Sequence, residues 1–408
     1  MKDANQSLMK LPDLNAVKRV LIIRLSAIGD VVHALPVSSA LGESFPHLEL
    51  TWIVEETAAD VVQGNPYLKD VIVVPRKKWK EAQPSPKLWG DYFALLQDLR
   101  RRKFDVTLDL QGYGKSALMA WATGAPYRLG WWKMQDGAHL VSKPIPRNPE
   151  SLHRVEWFLD VARALGANPS PVTFPLVIPD SARQKSTAML KYIGIEPNTP
   201  YAIINPATGD QLRRWGSENY ARVVRLLAEQ HRMSVVLIGS SKDIELCNDV
   251  AERATKGMLG ENFGVSAPCV LAGKTTVIES AAMLDTATIV ICSDTGAAHI
   301  AAALGTPVVG IYAPTDPAHA GPYGQLDTVV SHYDYCAREC TTRICAVPLP
   351  QTVPADLNTA AQMPNPGTPA FPVSHCLYSI TPEMVMAQVS ERLETSQNAA
   401  DPRSLMVQ

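Results

Sequence analysis

The chain has 408 residues, 46% of them apolar and 19% charged, which excludes wholesale disorder and exceeds what one ordinary core holds. Two domains are expected, or three at most. With 38 basic and 40 acidic residues the formal charge is −2, which excludes a nucleic-acid binder held by bulk positive charge.

The charge is unevenly divided: residues 1–180 carry 22 basic and 19 acidic residues, and the remainder carries 16 and 21. All seven cysteines lie in the second half, at 247, 269, 292, 336, 340, 345 and 376. An odd, clustered count points to a reducing, cytoplasmic setting and away from a secreted disulfide framework. No secretory signal is expected, because the segment up to Lys18 is polar and the run Val20–Ile23 meets Arg24 at once. The most apolar long stretch, Thr288–Pro314, is broken by Ser293-Asp-Thr-Gly296 and by Pro307, so no spanning helix is expected.

Short β-branched runs alternate with helix-length segments, the pattern of parallel α/β sheets. In the first half the strands are expected at Arg19–Arg24, Leu50–Val54, Val71–Val74 and Asp105–Leu110, with helices over Val31–Phe45 and Tyr92–Arg102. Leu152–Leu165 reads as an amphipathic helix, with Val155, Phe158, Leu159 and Ala162 on one face and Gly166 as its stop. Prolines 169, 171, 175 and 179 mark a boundary, giving domains 1–175 and 176–380. A second series follows at Ala202–Asn205, Ser234–Ile238, Val270–Ala272, Thr288–Cys292 and Val308–Tyr312. Ala346–Pro372 holds seven prolines and reads as an irregular insertion, within a cysteine-containing region of about 336–376. Thr381-Pro-Glu383 then opens a final helix, with Val385, Val389 and Leu393 as its packing stripe and the tail to residue 408 beyond it. Two doubly wound sheets place ligands at the carboxyl ends of their strands, an arrangement suited to a two-substrate transfer.

Three segments carry chemistry. In Arg24-Leu-Ser-Ala-Ile-Gly-Asp-Val-Val-His-Ala-Leu-Pro36, a strand enters a small-residue turn and a helix begins near Asp30. Taken alone, Asp30 reads as a helix cap, but at the end of the first strand its carboxylate is also a candidate proton acceptor for an attacking hydroxyl. His33, one turn on, reads as a packing residue. In Ser293-Asp-Thr-Gly-Ala-Ala-His299, the amides of Thr295, Gly296 and Ala297 open a helix and form a candidate diphosphate site, flanked by Asp294 and His299. The alternative is a plain, well-packed βα unit. In Asn205-Pro-Ala-Thr-Gly…Arg213-Arg-Trp215, a guanidinium is placed to clamp a leaving phosphate, while Trp215 reads as a core anchor. No Walker motif or dinucleotide fingerprint is present, so kinase and dehydrogenase readings weaken. The cluster Arg76-Lys-Lys-Trp-Lys80, which follows a strand directly, joins Lys115 and Arg128 as candidates for an acidic acceptor.

The chain resembles the ADP-heptose:lipopolysaccharide heptosyltransferases, glycosyltransferase family 9, from about Lys18 to Arg392. The matching pieces are Ser26–Pro36, Trp52-Ile-Val-Glu-Glu56, Asp109-Leu-Gln-Gly112 with Lys115, Ser293–His299 and Gly310-Ile-Tyr-Ala-Pro-Thr-Asp-Pro317. The resemblance implies a GT-B fold, α/β with two doubly wound Rossmann-like domains facing across a cleft, the first for the acceptor and the second for the ADP-sugar. It implies inverting transfer of L-glycero-D-manno-heptose from ADP-heptose to an inner-core sugar, with Asp30 as general base. Thr208, Arg213, Glu245, Asp294, Thr295, Gly296 and His299 then fall to the donor, Arg213 standing where the family has a lysine. Lys77, Lys78, Lys80, Lys115 and Arg128 fall to the acceptor. Trp52–Glu56 and Arg76–Lys80 are most like the type I enzymes, which implies a Kdo-bearing lipid A acceptor and weak peripheral contact with the inner face of the cytoplasmic membrane. No cofactor or catalytic metal is expected. Cys336, Cys340, Cys345 and Cys376 are read as buried free thiols, with a structural metal as the alternative. Two other readings stand beside this one: a different GT-B sugar transferase or nucleotide-sugar epimerase, and a non-catalytic nucleotide-sugar or glycolipid binder.

Overall fold

A computed structural model describes residues 11–81, 86–209, 213–258, 264–331 and 375–400. The chain divides into two compact units, Met1–Val177 and Ile178–Gln408.

In the first unit the strands are β1 (Arg19–Ile23), β2 (Glu49–Glu55), β3 (Leu68–Val74), β4 (Val106–Asp109), β5 (Tyr127–Gly130) and β6 (Lys143–Pro144). The helices are α1 (Ile28–Ser44), α2 (Ala59–Val62), α3 (Arg76–Glu81), α4 (Pro86–Arg101), α5 (Gly114–Thr123) and α6 (Arg154–Ala164). The six strands form one parallel sheet in the order β3-β2-β1-β4-β5-β6. Leu21, Ile23 and Ile53 pack on Leu99 of α4 and on Met119 and Ala120 of α5. Strand alternation sends Val20, Ile22, Leu50 and Trp52 to the opposite face, where they are equally buried. A parallel sheet covered on both faces accounts for continuous apolar runs such as Val20–Ile23.

The second unit repeats the plan. Its strands are β7 (Tyr201–Asn205), β8 (Ser234–Leu237), β9 (Cys269–Val270), β10 (Ile289–Ser293), β11 (Val308–Tyr312) and β12 (Val329–Ser331), ordered β12-β11-β10-β7-β8-β9 and all parallel. Its helices include α7 (Asp180–Tyr192), α8 (Ser217–His231), α9 (Ile244–Met258), α10 (Val277–Thr286), α11 (Gly296–Ala303) and α12 (Pro317–Ala320). The C-terminal helix, Pro382–Ala400, belongs to this unit: Val385, Met386, Val389 and Leu393 join its core. Each such buried side chain contributes roughly 1.5–3 kcal/mol. Trp215 is the anchor its sequence suggested, buried against Tyr220 and donating from Nε1 to the Ile380 carbonyl at 2.8 Å. Thr381 Oγ1 accepts from the amide of Met384 at 3.3 Å, capping the helix as expected.

Both sheets have the doubly wound order in which the sequence of strand addition reverses beside the first strand of the unit. The switch points lie between β1 and β4 and between β7 and β10, and crevices at such points hold ligands in open α/β sheets. The segments that leave β1, β7 and β10 are those singled out for chemistry, and the segment that leaves β4 leads to Lys115.

Several expectations shift by a few residues. Leu152–Leu165 begins as a helix only at Arg154, because His153 is the N-cap and its Nδ1 accepts from the amide of Val155 at 3.1 Å. The strand expected at Val270–Ala272 is Cys269–Val270. Arg76–Lys80, expected to follow a strand directly, does follow β3 and lies in a short helix, α3. Ala346–Pro372, Cys336, Cys340 and Cys345 lie outside the described residues. Cys376 is buried. Among the described residues no group of His, Cys, Asp and Glu is arranged to hold a metal, and no helix is long and apolar enough to cross a membrane.

Candidate active site

In the first unit the turn after β1 delivers Asp30 to the first turn of α1. Ala27 is the N-cap and makes no side-chain cap bond, so the carboxylate does not serve as the cap. Two guanidiniums hold it instead: Arg24 Nη2 lies 2.6 Å from Oδ2, and Arg154 Nη1 lies 2.9 Å from Oδ1. Arg24 is buried, donates from Nη1 to the Leu110 carbonyl at 2.6 Å, and lies 5.2 Å from the centre of the Phe158 ring. Burial lowers its pKa, and the Asp30 charge opposes that shift. His33 is buried, edge-on to His153 at 5.2 Å between ring centres, as a packing residue would be.

The loop after β4 locks this turn. Asp109 Oδ1 accepts from the amides of Gln111 (3.1 Å) and Gly112 (2.8 Å), and Oδ2 accepts from Ser116 Oγ (3.0 Å). Gln111 Oε1 in turn accepts from the amides of Leu25 (2.9 Å) and Ser26 (3.2 Å), tying the β1 and β4 loops together. Gly112 is required: its φ is +72°, and a Cβ there would sit 2.5 Å from Trp131 Nε1. Burial raises Asp109 to about 6, against the three hydrogen bonds, which favour the carboxylate.

A basic edge forms at the ends of β2 and β3. Glu55 is buried at the end of β2, and its Oε1 accepts from Arg76 Nη1 at 2.8 Å and Lys115 Nζ at 2.9 Å. Glu56 Oε1 accepts from the Lys77 amide at 2.8 Å, satisfying the start of α3 and leaving the Lys77 side chain exposed. The side chains of Lys78 and Lys80 lie outside the described residues. Arg128 is used differently: its Nη1 and Nε donate to the carbonyls of Ala125 (2.6 Å) and Val141 (3.1 Å), a structural bracing of β5.

In the second unit the loop after β10 brings Asp294, Thr295 and Gly296 to the start of α11. Thr295 is the N-cap but makes no side-chain cap bond, and its buried Oγ1 faces the Cys292 thiol. The opening amides of α11 are thus available to an oxyanion. Asp294 Oδ2 accepts from Arg213 Nη1 at 2.7 Å, and His299 Nε2 lies 3.5 Å from Oδ1. Burial disfavours ionisation of Asp294, but the His299 ring, the Arg213 charge and the Thr315 hydroxyl outweigh it and lower its pKa below the ordinary carboxylate value. Burial pushes the adjacent Cys292 thiol up to about 12, so it stays protonated. Thr208 is buried in the loop after β7. Glu245 is exposed in the first turn of α9, at the end of β8.

The structure therefore joins Arg213, Asp294, Thr295, Gly296 and His299 into one constellation, and Asp30 into another. Sequence reasoning gave no role to Arg24, Arg154, Glu55, Asp109 or Gln111. The usable signals were a cation, Arg154, in the first turn of a helix and a carboxylate, Glu55, ending a buried strand.

The chain matches the family described as glycosyltransferase family 9 (heptosyltransferase) over residues 92–349, more than half its length. It is 28% identical to the lipopolysaccharide core heptosyltransferase OpsX of Haemophilus influenzae over 79% of this chain and 87% of that one. It is 27% identical to lipopolysaccharide heptosyltransferase 1 of Escherichia coli K12 over 76% and 92%. A glycosyl transferase family 9 structure from Veillonella parvula superposes with a TM-score of 0.70 at 19% identity, covering 93% of this chain and 97% of that one. E. coli heptosyltransferase WaaC with ADP-2-deoxy-2-fluoro heptose gives 0.61 at 23% identity, over 91% and 99%. The two structures show the fold, the GT-B plan of paired Rossmann-like domains.

Proposed function

Since the chain belongs to glycosyltransferase family 9 (heptosyltransferase) and is a glycosyltransferase, we propose that it transfers L-glycero-D-manno-heptose from ADP-heptose to the Kdo-bearing inner core of lipopolysaccharide. The observation that carries this reading is the pair of switch-point sites: a carboxylate fixed at the first, and an anion site with a guanidinium at the second. Relatives named lipopolysaccharide heptosyltransferases support the substrate class.

In this reading Asp30 accepts the proton of the acceptor hydroxyl while the hydroxyl oxygen attacks the anomeric carbon. The bond to the β-phosphate oxygen breaks on the opposite side, so the anomeric configuration inverts. Charge developing on ADP meets the opening amides of α11, the Thr295 hydroxyl and Arg213, whose direction Asp294 fixes. Preorganised dipoles and a cation suffice for that charge, so the mechanism asks for no metal or cofactor. Thr208 and His299 line the diphosphate, and Glu245 takes the donor ribose.

On the acceptor side, Arg76 and Lys115, both held by Glu55, and the exposed Lys77 meet the Kdo carboxylate and lipid A phosphates, with Lys78 and Lys80 assigned to the same acceptor from the sequence alone. An acidic glycolipid explains an excess of basic residues confined to the first half of the chain. It also implies a cytoplasmic enzyme working at the inner face of the membrane through weak contacts, with no nucleic acid involved. Titration with ADP-, UDP- and GDP-sugars tests the reading. Binding selective for ADP-heptose is expected; a preference for a UDP- or GDP-sugar overturns it.

A further inference from the structure

Arg154 sits against the local preference of its own helix. It is the first residue of α6, where the helix dipole favours acidic groups and opposes a cation. Its compensation is Asp30: Nη1 donates to Oδ1 at 2.9 Å, and among the described residues Asp30 is its one hydrogen-bonded partner.

Arg24, on the other oxygen, is built to stay. It is 4% exposed, tied to the Leu110 carbonyl and covered by the Phe158 ring. The Arg154 side chain is 39% exposed, and an ion pair so exposed is weak enough to exchange partners. While it stays, Oδ1 is already accepting a guanidinium hydrogen bond and is a poorer acceptor for a hydroxyl proton.

We propose that Arg154 is a specificity-determining residue: it leaves Asp30 for an anionic substituent, carboxylate or phosphate, on the acceptor, and so bares the base only when that acceptor is bound. The inference rests on the reading of Asp30 as base and of an acidic glycolipid as acceptor. A planar guanidinium meets either anion through paired hydrogen bonds, and the exchange conserves charge pairing at Arg154 while Arg24 still orients Asp30. It also guards the donor. Without an acceptor, water is the competing nucleophile: its oxygen bonds to the anomeric carbon, its proton passes to Asp30, and ADP leaves with the electron pair of the broken bond. The products are free heptose and ADP, and a covered base slows that loss.

The test compares wild type, Arg154→Gln and Arg154→Lys, with ADP-heptose as donor and a Kdo-bearing lipid A as acceptor. In R154Q the acceptor KM rises about tenfold or more, the KM for ADP-heptose changes by less than about twofold, and ADP release without acceptor increases several-fold. R154K, which keeps the charge but not the fork, gives an intermediate acceptor KM and carries the comparison should R154Q not fold. Acceptors with an esterified Kdo carboxylate, or stripped of phosphate, identify the anion: the difference between wild type and R154Q vanishes for the acceptor that lacks it. A folded R154Q with unchanged acceptor KM and unchanged acceptor-free ADP release overturns the proposal. Failure of the wild type to modify any such acceptor overturns the functional reading instead, and acceptor-free ADP release then still decides whether Arg154 restrains Asp30.

Discussion

Arg24 and Asp30 meet at 2.6 Å, the arginine leaving β1 and the aspartate entering α1, so the turn between them is closed by an ion pair. The arginine has almost no solvent contact, while about a quarter of the aspartate side chain is exposed, at 23%. A carboxylate oriented from below and open on one side is preorganised for proton transfer, because its geometry need not be assembled during the reaction.

Replacing Asp30 by asparagine keeps the size of the group and removes its basicity. The expected outcome is a fall in kcat of about 10²–10⁴-fold with ADP-heptose binding retained, read from initial rates beside a binding titration. Unchanged turnover removes Asp30 from the role of base.

Glu55→Gln acts at a distance from the chemistry. One buried carboxylate oxygen holds both Arg76 and Lys115, whose side chains are 51% and 35% exposed. Solvent screens these pairs, so the stability loss stays near or below about 1 kcal/mol per pair. The functional loss is larger: the acceptor KM rises about tenfold while the donor KM holds, as a titration of each substrate shows. An equal rise in both KM values contradicts the assignment of this edge to the acceptor.

Arg213→Ala removes the cation beside the α11 amides and leaves Asp294 without its 2.7 Å partner. Transfer falls by about 10²-fold or more, and ADP binds more weakly in a calorimetric titration. Thr295→Val, which deletes the buried hydroxyl, produces a smaller loss in the same direction. Wild-type donor kinetics in both variants would move the diphosphate elsewhere.

Asp109 gives a pH signature of stability. Its carboxyl is raised from 3.8 to about 6 by burial, so between those values the folded state binds a proton that the unfolded state does not. The contribution is therefore most favourable below the unfolded value and is lost as pH rises through the folded one. The difference amounts to roughly 3 kcal/mol, complete by about pH 7. Urea unfolding of the first unit, followed from pH 4 to pH 7, shows this slope in the wild type and not in Asp109→Asn. Parallel slopes in the two proteins contradict it.

The sheets were legible because a strand buried on both faces writes itself as a run such as Val20–Ile23 or Ile289–Cys292. The edges were not. Tyr127–Gly130 contains an arginine and a glycine, and β6 is the dipeptide Lys143-Pro144; each is a strand only by virtue of its neighbour. The same holds for the site. Asp30, Thr295 and Gly296 were visible because strand, small turn and helix follow one another in sequence. Arg154 reaches Asp30 across 124 positions and Lys115 reaches Glu55 across 60, and no local pattern encodes either pairing. Arg128 shows the complementary case: its charge was legible, but the carbonyls to which it donates were not.

The most direct test of the central claim is the mass of the acceptor. Purified protein is incubated with ADP-heptose and a panel of truncated lipopolysaccharides, and the products are read by mass spectrometry. The account predicts one added heptosyl residue on acceptors that end in Kdo, none on lipid A lacking Kdo, and no addition with Asp30→Asn. Unmodified Kdo-bearing acceptors, in the presence of protein that binds ADP-heptose, would contradict it.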